Sequence, residues 1–231
     1  PETVRRFLTK HGEGLLSERL RNAWLALLAK RGRWHQYLKF YRPDDSTERR
    51  CRYLHGLIAT GQRSKAFAEV QELWLVGRSQ PAACNPVFEA WRQAGKLTQA
   101  LIWERIAQAM DNGQTRLASH LKKMLPASQR PWVNRWLRVR KNPALIGNQK
   151  LFAADHHRRP EILLYGLERL ARQDVKRAAS VWNTLKQRYR FDREHLRDGE
   201  RILGAAYLRH GYPDALARLD KVEPDEDLEL H

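Results

Sequence analysis

Long apolar runs are missing from this 231-residue chain. The longest, Ala23 to Ala29, falls far short of the ~20 residues a helix needs to cross a bilayer, so a transmembrane helix is excluded. Cysteine is scarce: Cys51 and Cys84 stand alone, too few for a disulfide framework. Sustained period-2 alternation is also missing, and with it the signal for strands. The chain opens at Pro1 without a charged-then-apolar leader, as expected of a cytosolic protein or of one already trimmed. Acidic residues are few relative to basic ones, Asp+Glu 26 against Lys+Arg 43, for a net charge of +17. An apolar share of 42% argues against wholesale disorder and leaves room for one large domain or two small ones.

What is abundant is helical periodicity. Apolar residues recur at spacings of three and four in Ala23, Trp24, Leu27 and Leu28. The same spacing appears in Tyr53, Leu54, Leu57 and Ile58, and again in Leu163, Leu164, Leu167 and Leu170. Superimposed on it is a recurring unit: a helix, a small turn residue, and an alanine five places on. Gly61 precedes Ala66, Gly95 precedes Ala100, Gly113 precedes Ala118 and Gln173 precedes Ala178. Gly211 is followed by Ala215 one place early, and Gly32 by Tyr37 at the fifth place. Glycine supplies the left-handed conformation that closes a helix, and alanine lets the next helix approach closely.

Helix hairpins stacked in this way make a solenoid. The intervals are irregular, 29 residues from Gly32 to Gly61, 34 to Gly95 and 18 to Gly113, so the expected fold is an all-α, irregular superhelix spanning residues 1–231. Prolines 43, 81, 126, 131, 143 and 160 mark its seams. Ser46 or Thr47 is the expected start of the helix that follows Pro43.

The positive surplus is a statement about partners: it suits any polyanion. Between Lys122 and Arg177 there are 14 basic residues against four acids. The sharpest cluster is Arg135, Arg138, Arg140 and Lys141 beside Trp132 and Trp136, and it is the candidate binding patch. A solvated helix face accounts for the same charges. The eight tryptophans are read mainly as core, because most lie among Leu and Ala at helical spacing. Near the end, Glu223, Asp225, Glu226, Asp227 and Glu229 reverse the sign and suggest a further helix start.

Cys51 is expected to open a helix running to about Thr60, with a partner helix from about Ser64 to Val76 and Cys84 in the loop beyond it. Antiparallel helices of similar length bring these regions together, so a bridge is feasible. Two unrelated buried thiols fit the spacing equally. No catalytic or metal-ligating constellation emerges. His156 and His157 are adjacent and diverge on a helix, and the other histidines are scattered. Glu104 and Glu161 read as helix-face groups paired with arginine. No phosphate loop or nucleophile elbow occurs, and no cofactor is implied.

The segment from Leu73 to Trp91, LWLVGRSQPAACNPVFEAW, resembles the U-domain of soluble lytic murein transglycosylases of Gram-negative bacteria. Leu20–Leu25, Lys30–Trp34, Phe40–Glu48 and Cys51–Gln62 are similar to the same family, and Arg105–Pro126 more weakly. Beyond residue 126 only compatible helix hairpins continue.

The resemblance implies a ring-forming α-superhelix that carries a separate C-terminal lysozyme-like module. That module cleaves the MurNAc–GlcNAc β-1,4 bond to a 1,6-anhydro product, with one glutamic acid acting as acid and then base. Its Glu-Ser pair and Gly-Leu-Met-Gln string do not occur in this sequence, so no catalytic residue carries over. The resemblance further implies that Cys51 and Cys84 are bonded, that the address is the periplasm, and that peptidoglycan is the parent enzyme's partner. A basic helical-repeat binder of nucleic acid or a protein adaptor are the rival readings. Irregular turn spacing ranks the first lower, since repeat readers of RNA need a fixed register. Only one interval suits a tetratricopeptide adaptor.

Overall fold

A computed structural model describes residues 2–11, 14–213 and 215; the acidic stretch at 223–229 lies outside them. Every regular element among these residues is helical. The chain divides into two compact units, 1–124 and 125–231.

The first unit runs α1 (Glu2–Lys10), α2 (Leu15–Lys30), α3 (Trp34–Phe40), α4 (Thr47–Ala59), α5 (Arg63–Trp74), α6 (Asn85–Gln93), α7 (Gln99–Asp111) and α8 (Thr115–Leu121). The second runs α9 (Arg130–Lys141), a 3-10 turn at Pro143–Gly147, α10 (Arg159–Gln173), α11 (Val175–Arg188) and α12 (Arg193–Arg209). The prolines sit where a proline costs least. Pro86, Pro131 and Pro160 occupy first turns, whose N–H groups have no intrahelical acceptor.

The glycine joints are real and alike. Gly32, Gly61, Gly95, Gly113 and Gly211 all have positive φ. At Gly61 the glycine N–H donates to the Ile58 carbonyl and the Gln62 N–H to the Leu57 carbonyl. The same pair of bonds closes the other four joints, which is the Schellman pattern for the orphan carbonyls of a helix end. Ala66, Ala118, Ala178 and Tyr37, at the fifth place, are fully buried. Ala100 is not: three residues, Lys96 to Thr98, separate Gly95 from α7 where Gly32, Gly61 and Gly113 have one, so this alanine falls in the exposed first turn. At Gln173 no glycine is needed, because Asp174 ends α10 in extended backbone and caps α11 by accepting from the Arg177 N–H at 2.9 Å. Ser46 caps α4 through the Arg49 N–H.

Within the first unit the core is built from Trp24, Leu28 and Tyr37 at one end and Leu54, Val70, Trp74, Trp91, Trp103 and Ile106 along α4–α7. Trp74 spans α5 to α7 by donating its indole N–H to the Leu101 carbonyl. Cys51 and Cys84 form a disulfide. Cys51 stands in the second turn of α4 rather than at its start, and Cys84 ends a 3-10 turn, Ala82–Cys84, just before α6. Both are fully buried, so the bond ties α4 to the entrance of α6 from within. A second unusual group is Arg105 on α7, stacked 4.3 Å over Trp74 and 5.4 Å over Phe88. Burial pulls its guanidinium down to about 10, and the aromatic faces, with the Arg78 carbonyl that accepts from it at 3.4 Å, compensate the charge.

In the second unit α10 is the central helix, with Ile162, Leu163, Leu167 and Leu170 enclosed. Two glycines permit close approach. A Cβ on Gly166 would lie 2.2 Å from Ile146 Cγ2, and one on Gly199 would lie 2.1 Å from the Trp182 ring. Beside Gly199, the buried Glu200 accepts from the Trp182 indole at 2.8 Å and from Lys186 Nζ at 2.6 Å, joining α11 to α12.

Candidate functional site

Helix α9 organises the basic patch. Trp132, Val133, Trp136 and Val139 recur at spacings of one, three and three, which puts them on one stripe, and all four are buried. The cations fall on the remaining positions. Arg138 and Lys141 are exposed, while Arg135 and Arg140 are half-buried at the edges of the stripe. Three of the four lie in the last turn, where the negative end of the helix dipole favours them. Six residues nominated from sequence are thus brought together on one helix, but they divide by role.

The two tryptophans are packing groups. Trp132 is 4% exposed and Trp136 1%. Arg135 stacks 4.3 Å over the Trp132 ring, and His156 stacks on the same ring at 4.6 Å with planes 17° apart. Trp136 meets Tyr165 of α10 edge-on at 5.8 Å. Arg140 donates to the Tyr165 hydroxyl at 2.9 Å, and Arg169 lies 4.5 Å over the Tyr165 ring. Neither indole therefore offers an open stacking platform. What reaches solvent is guanidinium and ammonium.

Sequence reasoning missed the extension of this patch by residues 155–159. The His156 and His157 rings lie against each other at 4.3 Å, tilted by 31°, instead of diverging on a helix, because the segment is a turn. Arg158 pairs with Glu161 at 2.7 Å, which accounts for that carboxylate as a helix-face partner; Glu104 is exposed on α7. Arg159 pairs with Asp155 at 3.1 Å. The run of basic residues was visible in the sequence, but the turn that folds them against α9 was not. Among the described residues no group of three His, Cys, Asp or Glu side chains is placed to hold a metal.

The electrostatic character of the patch is reported by His156. Burial first, then His157, Arg135 and Arg158, pull its imidazole down to about 4 from 6.5. Its Nδ1 accepts the Arg158 N–H at 3.1 Å, which also favours the neutral ring. The unfolded chain therefore binds a proton that the folded one does not. Stability is fully present above pH 6.5 and falls as pH drops from there towards 4. Chemical denaturation at pH 7 and pH 4.5 is expected to show this loss, and His156→Gln to flatten it.

A family profile described as Cucumovirus coat protein matches residues 57–152. That is under half of the chain; it starts inside α4, separates Cys51 from Cys84, and runs across both units, so it corresponds to no structural element. The longer matches agree with one another. The soluble lytic murein transglycosylase of Escherichia coli K12 is 28% identical over 202 residues, 86% of this chain and 31% of that protein. The Salmonella typhimurium protein of the same name is 29% identical over the same length.

Among solved structures, an inactive variant of the lytic transglycosylase Slt from Pseudomonas aeruginosa superposes at a TM-score of 0.81 with 33% identity, covering 96% of this chain and 36% of its own. The 70 kDa soluble lytic transglycosylase of Escherichia coli superposes at 0.75 with 25% identity. The chain spans about a third of the length of these relatives. Similarity continues past residue 126, where the sequence alone offered only continuity. Over most of its length the chain is similar in sequence and in helical fold to about a third of the soluble lytic murein transglycosylases.

Proposed function

We propose that this chain is the non-catalytic scaffold of a periplasmic peptidoglycan lytic transglycosylase. In this reading its parent cleaves the MurNAc–GlcNAc β-1,4 bond to a 1,6-anhydro product by means of a C-terminal lysozyme-like module of the same polypeptide. The observation that carries the reading is the match over 96% of the chain to a lytic transglycosylase at a TM-score of 0.81. The buried Cys51–Cys84 bond supports an oxidising compartment. No helix among the described residues is long and apolar enough to cross a membrane.

The scaffold's own contribution is electrostatic. Peptidoglycan stem peptides carry carboxylates, and Arg138 and Lys141, with Arg135 and Arg140 beside them, attract such groups at long range. Purified sacculi are expected to retain the chain at low salt and release it as ionic strength rises. The double charge reversal Arg138→Glu with Lys141→Glu should cut retention several-fold while leaving the helical spectrum intact. Failure to be retained at any ionic strength, with the fold intact, would remove the affinity role and leave the domain a purely architectural one. A parallel titration with single- and double-stranded polynucleotides distinguishes wall binding from nucleic-acid binding. Sequence-selective binding there at physiological salt would replace the proposal.

A further inference from the structure

Where the chain leaves α3 and enters α4, in the first unit, it forms a cleft of about 520 Å³ against α5. One side of this cleft is a row of rings. Tyr37, fully buried, is held by the bond its hydroxyl donates to the Arg49 carbonyl at 3.1 Å. Tyr41 lies nearly parallel to it, with centroids 6.1 Å and planes 19° apart. Tyr53 stacks on Tyr41 in turn, at 4.3 Å and 16°. Tyr53 ends the row, since among the described residues no further ring lies against it. Tyr41 and Tyr53 are half-buried and line the cleft, with Leu38 and Pro43 beside them.

The other side is polar. Asp44 comes from the α3–α4 connection, Arg50 from α4 and Glu69 from α5. Both carboxylates are already ion-paired, Asp44 with Arg49 at 2.5 Å and Glu69 with Arg50 at 3.2 Å. The pairing fixes them without exhausting them: Glu69 meets Arg50 through Oε2, and its Oε1 accepts no hydrogen bond among the described residues. Burial first, then Asp44 and Glu69, raise the pKa of the Tyr41 phenol, which places both carboxylates near that ring.

Fixed aromatic faces edged by acceptors and a donor, with no carboxylate left unpaired, match a ligand that has one flat C–H face and many hydroxyls. Ring faces are electron-rich and attract the C–H bonds of a pyranose. Each sugar hydroxyl can donate to a carboxylate and accept from a guanidinium. We propose that this cleft binds a short, neutral, β-1,4-linked pyranose chain, with one ring stacked on Tyr53 and its hydroxyls shared among Asp44, Arg50 and Glu69. Equatorial substituents leave the faces of such a ring flat. The volume lies within the 300–1,000 Å³ usual for ligand sites. An ammonium ion also suits ring faces, but the carboxylates that would hold it are already taken by arginines. The electrostatic role of α9 concerns carboxylates of stem peptides, whereas this cleft concerns uncharged sugar, and either stands without the other.

The test is a titration of the ¹⁵N-labelled full chain with cellotriose, N,N′,N″-triacetylchitotriose, tetramethylammonium chloride and a hexaproline peptide. Saturable amide shifts confined to 37–53 and 66–72 with at least one trisaccharide support the proposal. Tyr53→Ala should weaken that binding about tenfold, and Tyr53→Phe, which keeps the face, by less than about threefold. Glu69→Ala, at the half-buried rim, should weaken it about threefold or more with the helical spectrum intact. The double reversal Arg138→Glu with Lys141→Glu should leave the shifts as they are, so this result is read separately from retention by sacculi. No saturable shift with either trisaccharide up to about 20 mM, tighter binding of tetramethylammonium or hexaproline, or binding undiminished in both Tyr53→Ala and Glu69→Ala would overturn it.

Discussion

Without the Cys51–Cys84 bond the 1–124 unit is expected to lose about 4 kcal/mol of stability, the chain-entropy value for a cross-link 33 residues apart. The double variant Cys51→Ala/Cys84→Ala should melt lower than the oxidised parent and at the same temperature with or without reductant. The parent should fall towards it when reduced. Each single variant should melt close to the double, since the remaining thiol has no partner in the chain and packs in its fully buried site as a small apolar group. The staple has this leverage because it joins the second turn of α4 to the start of α6 and so encloses most of α4 and all of α5. Two titratable sulfhydryls in the unreduced protein would contradict the bond and remove the main argument for an oxidising compartment.

Gly199→Ala should cost about 3 kcal/mol, against the usual direction for a helical glycine. In an open helix the exchange gains about 1 kcal/mol from propensity. Here the new methyl would lie 2.1, 2.5 and 2.6 Å from Trp182 Cζ2, Cε2 and Cη2. The indole is rigid, and its N–H is held by Glu200, so it cannot turn away. Overpacking of this kind costs several times the propensity gain. The companion measurement is Gly199→Ala in a Trp182→Phe background, where the obstructing ring is smaller. There the penalty should shrink by more than half, giving a coupling that a simple backbone effect would not produce.

The joints of the fold were legible because they are local. A glycine with positive φ is demanded by the bonds that close a helix, and those bonds reach only three to five residues back. So Gly32, Gly61, Gly95, Gly113 and Gly211 could be read in order, and with them the hairpins. The patch on α9 was legible as composition but not as geometry. Whether Trp132 faces solvent depends on where His156 comes to lie, 24 residues on, and the role of Arg140 depends on Tyr165, 25 residues on. The Glu200 bracket and the stacked Arg105 left no trace in the sequence, because each exists only where helices meet. Ala100 shows the limit in the other direction: the five-residue rule holds only when the second helix starts at once.

The five glycine joints have a kinetic corollary. Each is sealed by main-chain contacts between near neighbours, so helix pairs can form with little search through open chain. Assembly can then proceed hairpin by hairpin from either end, and the single covalent cross-link is the only step that must wait for an outside oxidant.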